Sequence, residues 1–281
     1  MENVLGIDSN FLGIATSGTT WKKSRVAILP IPFEQTVSWG KGTSRGPAAI
    51  LKASSYVEFY DEETRRDVSR DVGIATLPPL ATGRKKGAAA LGAIESRAAG
   101  IIRSGKFLLS LGGEHTVTQA LVRAHLSRYP DLSVLQIDAH SDLRSAYQGS
   151  PWSYACVMAR ICEFLDPGRI VQVGIRAQCE EEAKVIVEKN ITTLYAHQIR
   201  DSNPRVWMNR AVSKLSKNVY VTFDVDGLDP SVMPATGTPE PHGLLWDETM
   251  RLLRLLASKR NVVGCDVVEF SPLKGLHYAD L

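Results

Sequence analysis

The sequence has few cysteines, no long hydrophobic run and no cluster of basic residues. The scarcity of cysteine and the lack of any C-x-x-C spacing argue against a disulfide framework or a cysteine zinc site, so we expect reduced thiols at Cys156, Cys162, Cys179 and Cys265. The most apolar segments, such as residues 107–111, are far too short to span a bilayer. With 33 Lys+Arg against 30 Asp+Glu and no basic block, we expect neither a nucleic-acid partner nor a membrane surface.

The composition is that of an ordinary globular protein, with 44% hydrophobic and 22% charged residues in 281. No internal repeat, low-complexity tract or linker divides the sequence, so we expect a single domain over residues 1–281. The start, Met1-Glu2-Asn3, has no basic segment followed by a long apolar one. We therefore expect no secretory signal and a cytoplasmic protein.

Short apolar segments alternate with segments of helical periodicity. The predicted strands are residues 25–32, 106–111, 132–138, 169–175, 191–195, 218–224 and 261–268. The predicted helices are residues 46–54, 87–103, 116–129, 203–215 and 247–257. This alternation predicts an α/β fold in which helices cover both faces of a mostly parallel sheet.

Two long loops interrupt this pattern. Residues 31–47 are rich in Gly and Pro, and residues 226–244 contain four prolines and three glycines without periodicity. Long loops without regular structure often line functional sites. The glycines at 40, 42 and 46 do not have the G-x-G-x-x-G spacing, which argues against a dinucleotide site.

Three predicted strands end in acidic and histidine residues. The first ends in Asp138-Ala139-His140-Ser141-Asp142, the second in Asp224-Val225-Asp226, and the third in Gly112-Gly113-Glu114-His115. The first segment alone could be a helix N-cap beside a surface carboxylate. However, the carboxyl ends of parallel strands meet at one edge of a sheet, where ligands bind in open α/β folds. The edge would gather six side chains: His115, Asp138, His140, Asp142, Asp224 and Asp226.

Four carboxylates in one place repel each other unless cations neutralise them. Oxygen ligands with two imidazoles suit Mn²⁺ or a similar ion better than structural zinc. Six ligands are more than one ion needs, so the pattern predicts a binuclear site for hydrolysis, with ions about 3.5–4 Å apart.

These segments resemble the metal motifs of the ureohydrolase family, which includes arginase and agmatinase. The resemblance also covers segments 42–50, 227–230, 236–239 and 266–272, and so nearly the whole chain. It implies a three-layer α/β/α sandwich around a mostly parallel sheet, as in arginase. Family members continue beyond Ser271-Pro272 into a final helix, which this sequence, ending at Leu281, is expected to lack.

The resemblance implies two Mn²⁺ ions per chain. One would be bound by His115, Asp138, Asp142 and Asp224, and the other by Asp138, His140, Asp224 and Asp226, so that Asp138 and Asp224 bridge. The ions would activate a water that attacks a guanidinium carbon and releases urea and an amine.

The resemblance also implies roles outside the metal ligands. Glu269 would pair with the guanidinium of the substrate. Thr238 would bind substrate, and Asp229 would carry a proton or anchor the site.

Two positions depart from the family pattern. Tyr154 stands where a histidine is usual, and it could donate a hydrogen bond to substrate, although a pKa near 10 makes it a poor proton shuttle. His242 stands where a glycine is usual. We therefore predict that His242 partly replaces the missing imidazole as a catalytic group.

The resemblance thus implies a manganese hydrolase that acts on a small guanidino compound. Agmatine, converted to putrescine, is the first choice of substrate because the whole-chain pattern looks closer to agmatinases than to arginase. If Arg144 faces the site, it would favour a substrate with a carboxylate. A guanidino-acid hydrolase or an arginase is therefore an alternative. A metal-binding homologue without hydrolytic activity is the further alternative. The resemblance also implies a homo-oligomer, a trimer or a hexamer.

Overall fold

The computed structural model describes residues 2–15 and 19–280. The strands in this part are β1 (Val26–Ile31), β2 (Tyr60–Asp61), β3 (Arg66–Asp67), β4 (Ile74–Thr76), β5 (Phe107–Gly112), β6 (Ser133–Ile137), β7 (Ile170–Ile175), β8 (Thr192–Tyr195), β9 (Asn218–Asp224) and β10 (Asn261–Val268). The α-helices are α1 (Gly46–Ser54), α2 (Val68–Val72), α3 (Gly87–Arg103), α4 (Thr118–Leu126), α5 (Val157–Ile161), α6 (Glu180–Glu188), α7 (Ala196–Arg200), α8 (Pro204–Ser213) and α9 (Trp246–Lys259). Short 3₁₀ helices lie at Phe11–Gly13, Thr43–Arg45, His115–Val117, Tyr154–Cys156, Pro167–Arg169, Val225–Gly227 and His277–Ala279.

Eight of the described strands form one sheet in the order β4-β1-β5-β10-β9-β6-β7-β8, and every pairing in it is parallel. The sheet therefore has all its carboxyl ends at one edge, as predicted. β2 and β3 form a separate antiparallel hairpin.

The two faces of the sheet have separate apolar cores, because successive side chains of a strand point to opposite faces. On β6, Val134 packs in the core formed with α3, α4 and α5, and its neighbour Leu135 packs in the core formed with α8 and α9. Tyr220 and Val221 of β9 divide in the same way. Helices thus cover both faces, which confirms the predicted three-layer α/β/α sandwich.

The long predicted strands and helices are found within a few residues of their expected limits. Both predicted loops are also present, at residues 32–42 and 228–245, and both contribute to the carboxyl edge of the sheet. Between β10 and residue 280 the chain has one short 3₁₀ helix, His277–Ala279. None of the described helices is long and apolar enough to cross a membrane.

Candidate metal centre

Four neighbouring strands, β5, β10, β9 and β6, bring the predicted side chains together. His115 follows β5, Glu269 follows β10, and Asp224 ends β9. Asp138 follows β6 directly, with His140 and Asp142 in the loop beyond it. Apart from His140, whose side chain is about a quarter exposed, these side chains are buried.

The first group of ligands surrounds His115. Its Nδ1 lies 3.0 Å from Asp142 Oδ2, 3.2 Å from Asp138 Oδ2 and 3.3 Å from Asp224 Oδ2. Asp142 reaches this position with a φ of 55°, in the left-handed region that aspartate adopts more readily than most residues. These are the four residues predicted for the first ion.

The second group surrounds His140. Its Nδ1 lies 3.0 Å from Asp226 Oδ2 and 3.7 Å from Asp138 Oδ1. Ligand atoms of Asp138, His140 and Asp226 lie close enough to hold one ion, and those of His115, Asp138 and Asp224 could hold another. Asp138 therefore belongs to both groups.

Backbone N–H groups orient these carboxylates. The Asp226 N–H donates to Asp224 Oδ1 at 2.9 Å, and the Ala139 N–H donates to Asp226 Oδ1 at 3.0 Å. The His140 N–H donates to Asp138 Oδ1 at 2.6 Å. In Asp224 and Asp226 the second oxygen is thereby aimed at a histidine nitrogen.

Close backbone packing brings the strand ends this near to one another. A Cβ on Gly227 would lie 2.8 Å from the Asp138 nitrogen, so only glycine lets the loop after β9 approach the end of β6. Gly113 is held against the Phe33 carbonyl, where a Cβ would also collide.

The two groups of ligands together contain four buried carboxylates and only two imidazoles, so negative charge is in excess. Burial and then the neighbouring Asp138 raise the pKa of Asp142 to about 7. Burial, Asp226 and Asp138 hold the pKa of Asp224 well above its usual range. Burial lowers the pKa of His115, but its three carboxylate neighbours outweigh this and raise it. Two imidazoles cannot neutralise four buried carboxylates, so the site favours added cations.

The donor set fits divalent ions. The buried Nδ1 of His115 has no hydrogen-bond partner among the described residues, although three carboxylate oxygens surround it. An imidazole nitrogen facing carboxylate oxygens is a ligand arrangement typical of Mn²⁺ and related ions. These residues could therefore hold two ions that share Asp138.

Glu269 lies beside the metal ligands. It is 4% exposed, its Oε1 accepts a 2.6 Å hydrogen bond from the His115 N–H, and its φ is 63°, an unfavourable value for glutamate. Burial raises the pKa of Glu269 well above its usual range, and the nearby Glu114 and Asp226 raise it further. A cation next to this carboxylate would be stabilising.

A cavity of about 460 Å³ opens above the metal ligands and includes His140 and Asp142 in its wall. Thr238 lines it, with its Oγ1 3.5 Å from Asp226 Oδ2. Tyr154 lines it too, with its hydroxyl 2.5 Å from Ser38 Oγ. Burial raises the pKa of Tyr154, so the hydroxyl stays protonated at neutral pH.

Asp229 and His242 lie away from this cavity wall. The Asp229 carboxylate accepts hydrogen bonds from Ser231 and from the Gly243 N–H. It thereby joins the beginning of the loop after β9 to the end of the same loop. Burial raises the pKa of Asp229, but these hydrogen bonds outweigh it and lower the pKa to about 2. Of the two roles predicted for Asp229, this geometry favours the anchor over the proton carrier. The His242 side chain is exposed, with a backbone φ of 70°, so the geometry gives no support to a catalytic imidazole there.

Arg176 is a site residue that the sequence did not reveal. It follows β7, lines the cavity, and donates to the carbonyl oxygens of Asp226 at 2.6 Å and Glu240 at 2.8 Å. It also donates to the Gly174 and Leu228 carbonyls. Arg176 thus ties the start of the loop after β9, at the metal ligand Asp226, to the later part of the same loop, which carries Thr238. The sequence feature that could have identified Arg176 is its position directly after a strand, at the edge of the sheet where ligands bind.

Comparison with known proteins agrees with this geometry. Residues 24–277 match the model of the arginase family. The chain is 41% identical over 263 residues to the N(1)-aminopropylagmatine ureohydrolase of Synechocystis, covering 92% of this chain and 85% of that protein. It is 33% identical to the agmatinase of Bacillus cereus, covering 92% and 87%. The crystal structure of agmatine ureohydrolase from Thermoplasma volcanium superposes with a TM-score of 0.85 at 32% identity, covering 93% of this chain and 87% of that one.

The matched region contains every predicted metal ligand, both long loops and the whole sheet. The family consists of binuclear, typically manganese-dependent, hydrolases. The chain belongs to the arginase family and is an agmatinase-like ureohydrolase, which confirms the resemblance found in its motifs.

Proposed function

We propose that the protein binds two Mn²⁺ ions and hydrolyses the guanidinium group of an amine-bearing substrate, either agmatine or agmatine extended by an aminopropyl group. The observation that carries this proposal is the pair of His–Asp groups that share Asp138, of which His140 and Asp142 line the cavity. Water adds to the guanidinium carbon, the bond from that carbon to the alkyl-bearing nitrogen breaks, and urea and a protonated amine leave.

The bound ions would supply Lewis acidity and a water activated at neutral pH. The role of the protein is to fix the positions of the side chains that would bind these ions. The Asp224 and Asp226 carboxylates are fixed by backbone N–H groups before any ion arrives. Such preorganisation means that little rearrangement accompanies the reaction.

Glu269 would orient the guanidinium. One oxygen of its carboxylate is held by the His115 N–H, and the charge of the group is not paired with any described cation within salt-bridge distance. A planar guanidinium matches a carboxylate in a charge-assisted pair. Thr238, which lies against Asp226 in the cavity wall, would add a hydroxyl contact to substrate.

Tyr154 would bind substrate as a hydrogen-bonding group. Its backbone N–H donates to Thr36 Oγ1 at 3.1 Å and its ring packs edge-on against Tyr147, so its hydroxyl is held in place beside Ser38. A protonated phenol in this position can orient a polar substrate but cannot relay protons efficiently at neutral pH.

The charges of the cavity wall favour a second cationic group on the substrate. Arg144 lines the cavity, but its Nε lies 3.8 Å from Glu182 and its guanidinium lies over the Tyr147 ring. Arg176 is engaged by backbone carbonyls. Among the described charged side chains of the wall, Glu240 is the one whose carboxylate has no salt bridge within 4 Å and no hydrogen bond, and it interacts with the Arg176 guanidinium only at longer range. An ammonium group would provide its partner.

The relatives divide between two substrates of this kind. The chain is more similar to the N(1)-aminopropylagmatine ureohydrolase, at 41% identity, than to the agmatinase, at 33%. This difference favours the extended substrate over agmatine, the first choice from sequence.

A guanidino acid is the second candidate, because Arg144 does face the cavity. The homo-oligomer implied by the resemblance stays a prediction.

A substrate panel tests the proposal. Urea release from agmatine, N(1)-aminopropylagmatine, arginine and guanidinobutyrate should be measured with Mn²⁺-loaded protein. We expect the two amine substrates to have the highest kcat/KM. Preferred turnover of guanidinobutyrate or arginine would reject the cationic-tail assignment, and no urea from any compound would favour a metal-binding homologue without hydrolytic activity.

The variant Glu240→Gln should weaken binding of substrates with a second positive charge. An ion pair at a partly exposed position contributes about 0.2–1 kcal/mol, so we expect KM for agmatine to rise by about 1.4- to fivefold with little change in kcat. Butylguanidine lacks the second charge, so its KM should not change. The control Glu188→Gln removes the same charge from an exposed position on α6, outside the cavity wall. An equal rise in KM for both substrates would contradict this role of Glu240.

The variant His242→Ala tests the imidazole predicted from sequence. A general acid–base group contributes about 10²–10⁴-fold to turnover. Because the His242 side chain is exposed and outside the cavity wall, we expect kcat to stay within about twofold of the parent, below that range. A loss of 10²-fold or more, partly restored by adding Tyr154→His, would instead establish the catalytic role.

A further inference from the structure

A cluster of hydroxyl groups around a buried carboxylate lies behind His115. Asp266 on β10 accepts hydrogen bonds from Tyr220 Oη at 2.7 Å, Thr222 Oγ1 at 2.8 Å and Thr118 Oγ1 at 2.9 Å. All of these side chains are fully buried. The parallel register pairs Asp266 directly with Thr222 of β9. The cluster is therefore held by the centre of the sheet.

Thr222 connects this cluster to the metal centre. Its Oγ1 lies 2.9 Å from His115 Nε2, on the side of the ring opposite the carboxylate ligands. Thr222 is thus the neighbour of a metal ligand on one side and of Asp266 on the other.

The count of donors and acceptors determines which nitrogen of His115 carries hydrogen. A threonine hydroxyl has one hydrogen to donate, and an ionised carboxylate can only accept. Burial raises the pKa of Asp266, whereas His115 and the three hydroxyl donors act in the opposite direction and favour its ionised form. The hydrogen of Thr222 is therefore directed to Asp266, as is that of Thr118, whose oxygen lies 3.3 Å from Thr222 Oγ1. The Thr222 oxygen then accepts from His115 Nε2–H. The lone pair of Nδ1 then faces the three carboxylate ligands, where it can bind a cation.

We propose that Asp266, acting through Thr222, is a positioning group that holds His115 as the Nε2–H tautomer and so presents Nδ1 to a divalent ion. This inference rests on the proposed metal centre. Partners of this kind for metal-ligating histidines fix the ring orientation and the tautomer.

His125 on α4 shows that the fold does not impose this tautomer on every buried histidine. Its Nδ1 lies 2.8 Å from the Leu121 carbonyl oxygen, which can only accept, so Nδ1 carries the hydrogen. Its Nε2 has no hydrogen-bond partner among the described residues. The partner of each ring therefore decides its tautomer, and Thr222 is that partner for His115.

The variant Thr222→Val tests the inference, because valine has nearly the same shape without the hydroxyl. Metal-free protein would be titrated with MnCl₂ in a calorimeter. We expect the affinity of one of the two sites to fall by about tenfold, the lower end of the range for such partners, while the other site is unchanged. Thr222→Ser keeps the hydroxyl and should bind both ions as the parent does.

Tyr220→Phe is the matched control. It removes another hydrogen bond to the same Asp266 but leaves the link to His115, so it should lower the unfolding temperature without weakening Mn²⁺ binding. Thr222→Ala replaces the valine variant if that protein does not fold. Parent-like affinity in the Thr222 variant, or an equal loss in Tyr220→Phe, would overturn this inference alone. Failure of the parent protein to bind Mn²⁺ would overturn the metal centre as well.

Discussion

The variant Asp138→Asn should lose most of its bound metal and nearly all of its activity. Asp138 belongs to both ligand groups, and each of its oxygens lies near a different histidine. Its replacement would remove a bridging charge from both ions at once. Since the ions supply several kcal/mol of transition-state stabilisation, we expect urea release to fall by about 10³-fold or more. Metal content after dialysis, measured by mass spectrometry, should fall well below two per chain.

Asp201→Asn is a suitable control, because Asp201 is exposed and lies outside the metal centre. It should bind metal and release urea as the parent does. Asp224→Asn should resemble Asp138→Asn if Asp224 also bridges. A stoichiometry that stays at two per chain in both variants would refute the bridging roles.

The variant Glu269→Gln should reduce turnover without removing metal. The amide oxygen can still accept the hydrogen bond from the His115 N–H, but the negative charge that would meet the guanidinium is lost. A hydrogen bond to a charged group contributes about 1.5–3 kcal/mol, so we expect kcat/KM to fall roughly ten- to a hundredfold. The readouts are steady-state urea release and metal content.

Glu188→Gln again controls for the loss of one charge at an exposed position. Unchanged kinetics in Glu269→Gln would assign Glu269 to structure. A parallel loss of metal would place it among the groups that hold the ions instead of the substrate.

Periodicity predicted the long elements of the fold because they bury a continuous apolar surface. α3 matches its predicted limits, and β9 does as well. The edge strand β4 was missed because its three residues are too few to produce a pattern. α6 was missed because charged residues dominate its first turn, where Glu182 serves the helix start by accepting from the Cys179 N–H.

The metal ligands could be found in the sequence because each lies at or soon after the end of a strand, so that topology alone brings them to one edge. The sequence did not reveal the surroundings of that edge. Arg176 acts on carbonyl oxygens of the loop after β9, 50 and 64 residues further along the chain, and a carbonyl oxygen has no sequence signal. The exposure of His242 likewise depends on the path of its loop, which proline and glycine content does not determine.

Urea release from N(1)-aminopropylagmatine and agmatine by protein with a measured Mn²⁺ content tests the central claim most directly. We predict turnover that rises with bound manganese up to two ions per chain, disappears on chelation and returns when Mn²⁺ is added back. Protein that holds two Mn²⁺ per chain but releases no urea from any guanidino compound would contradict the proposed function.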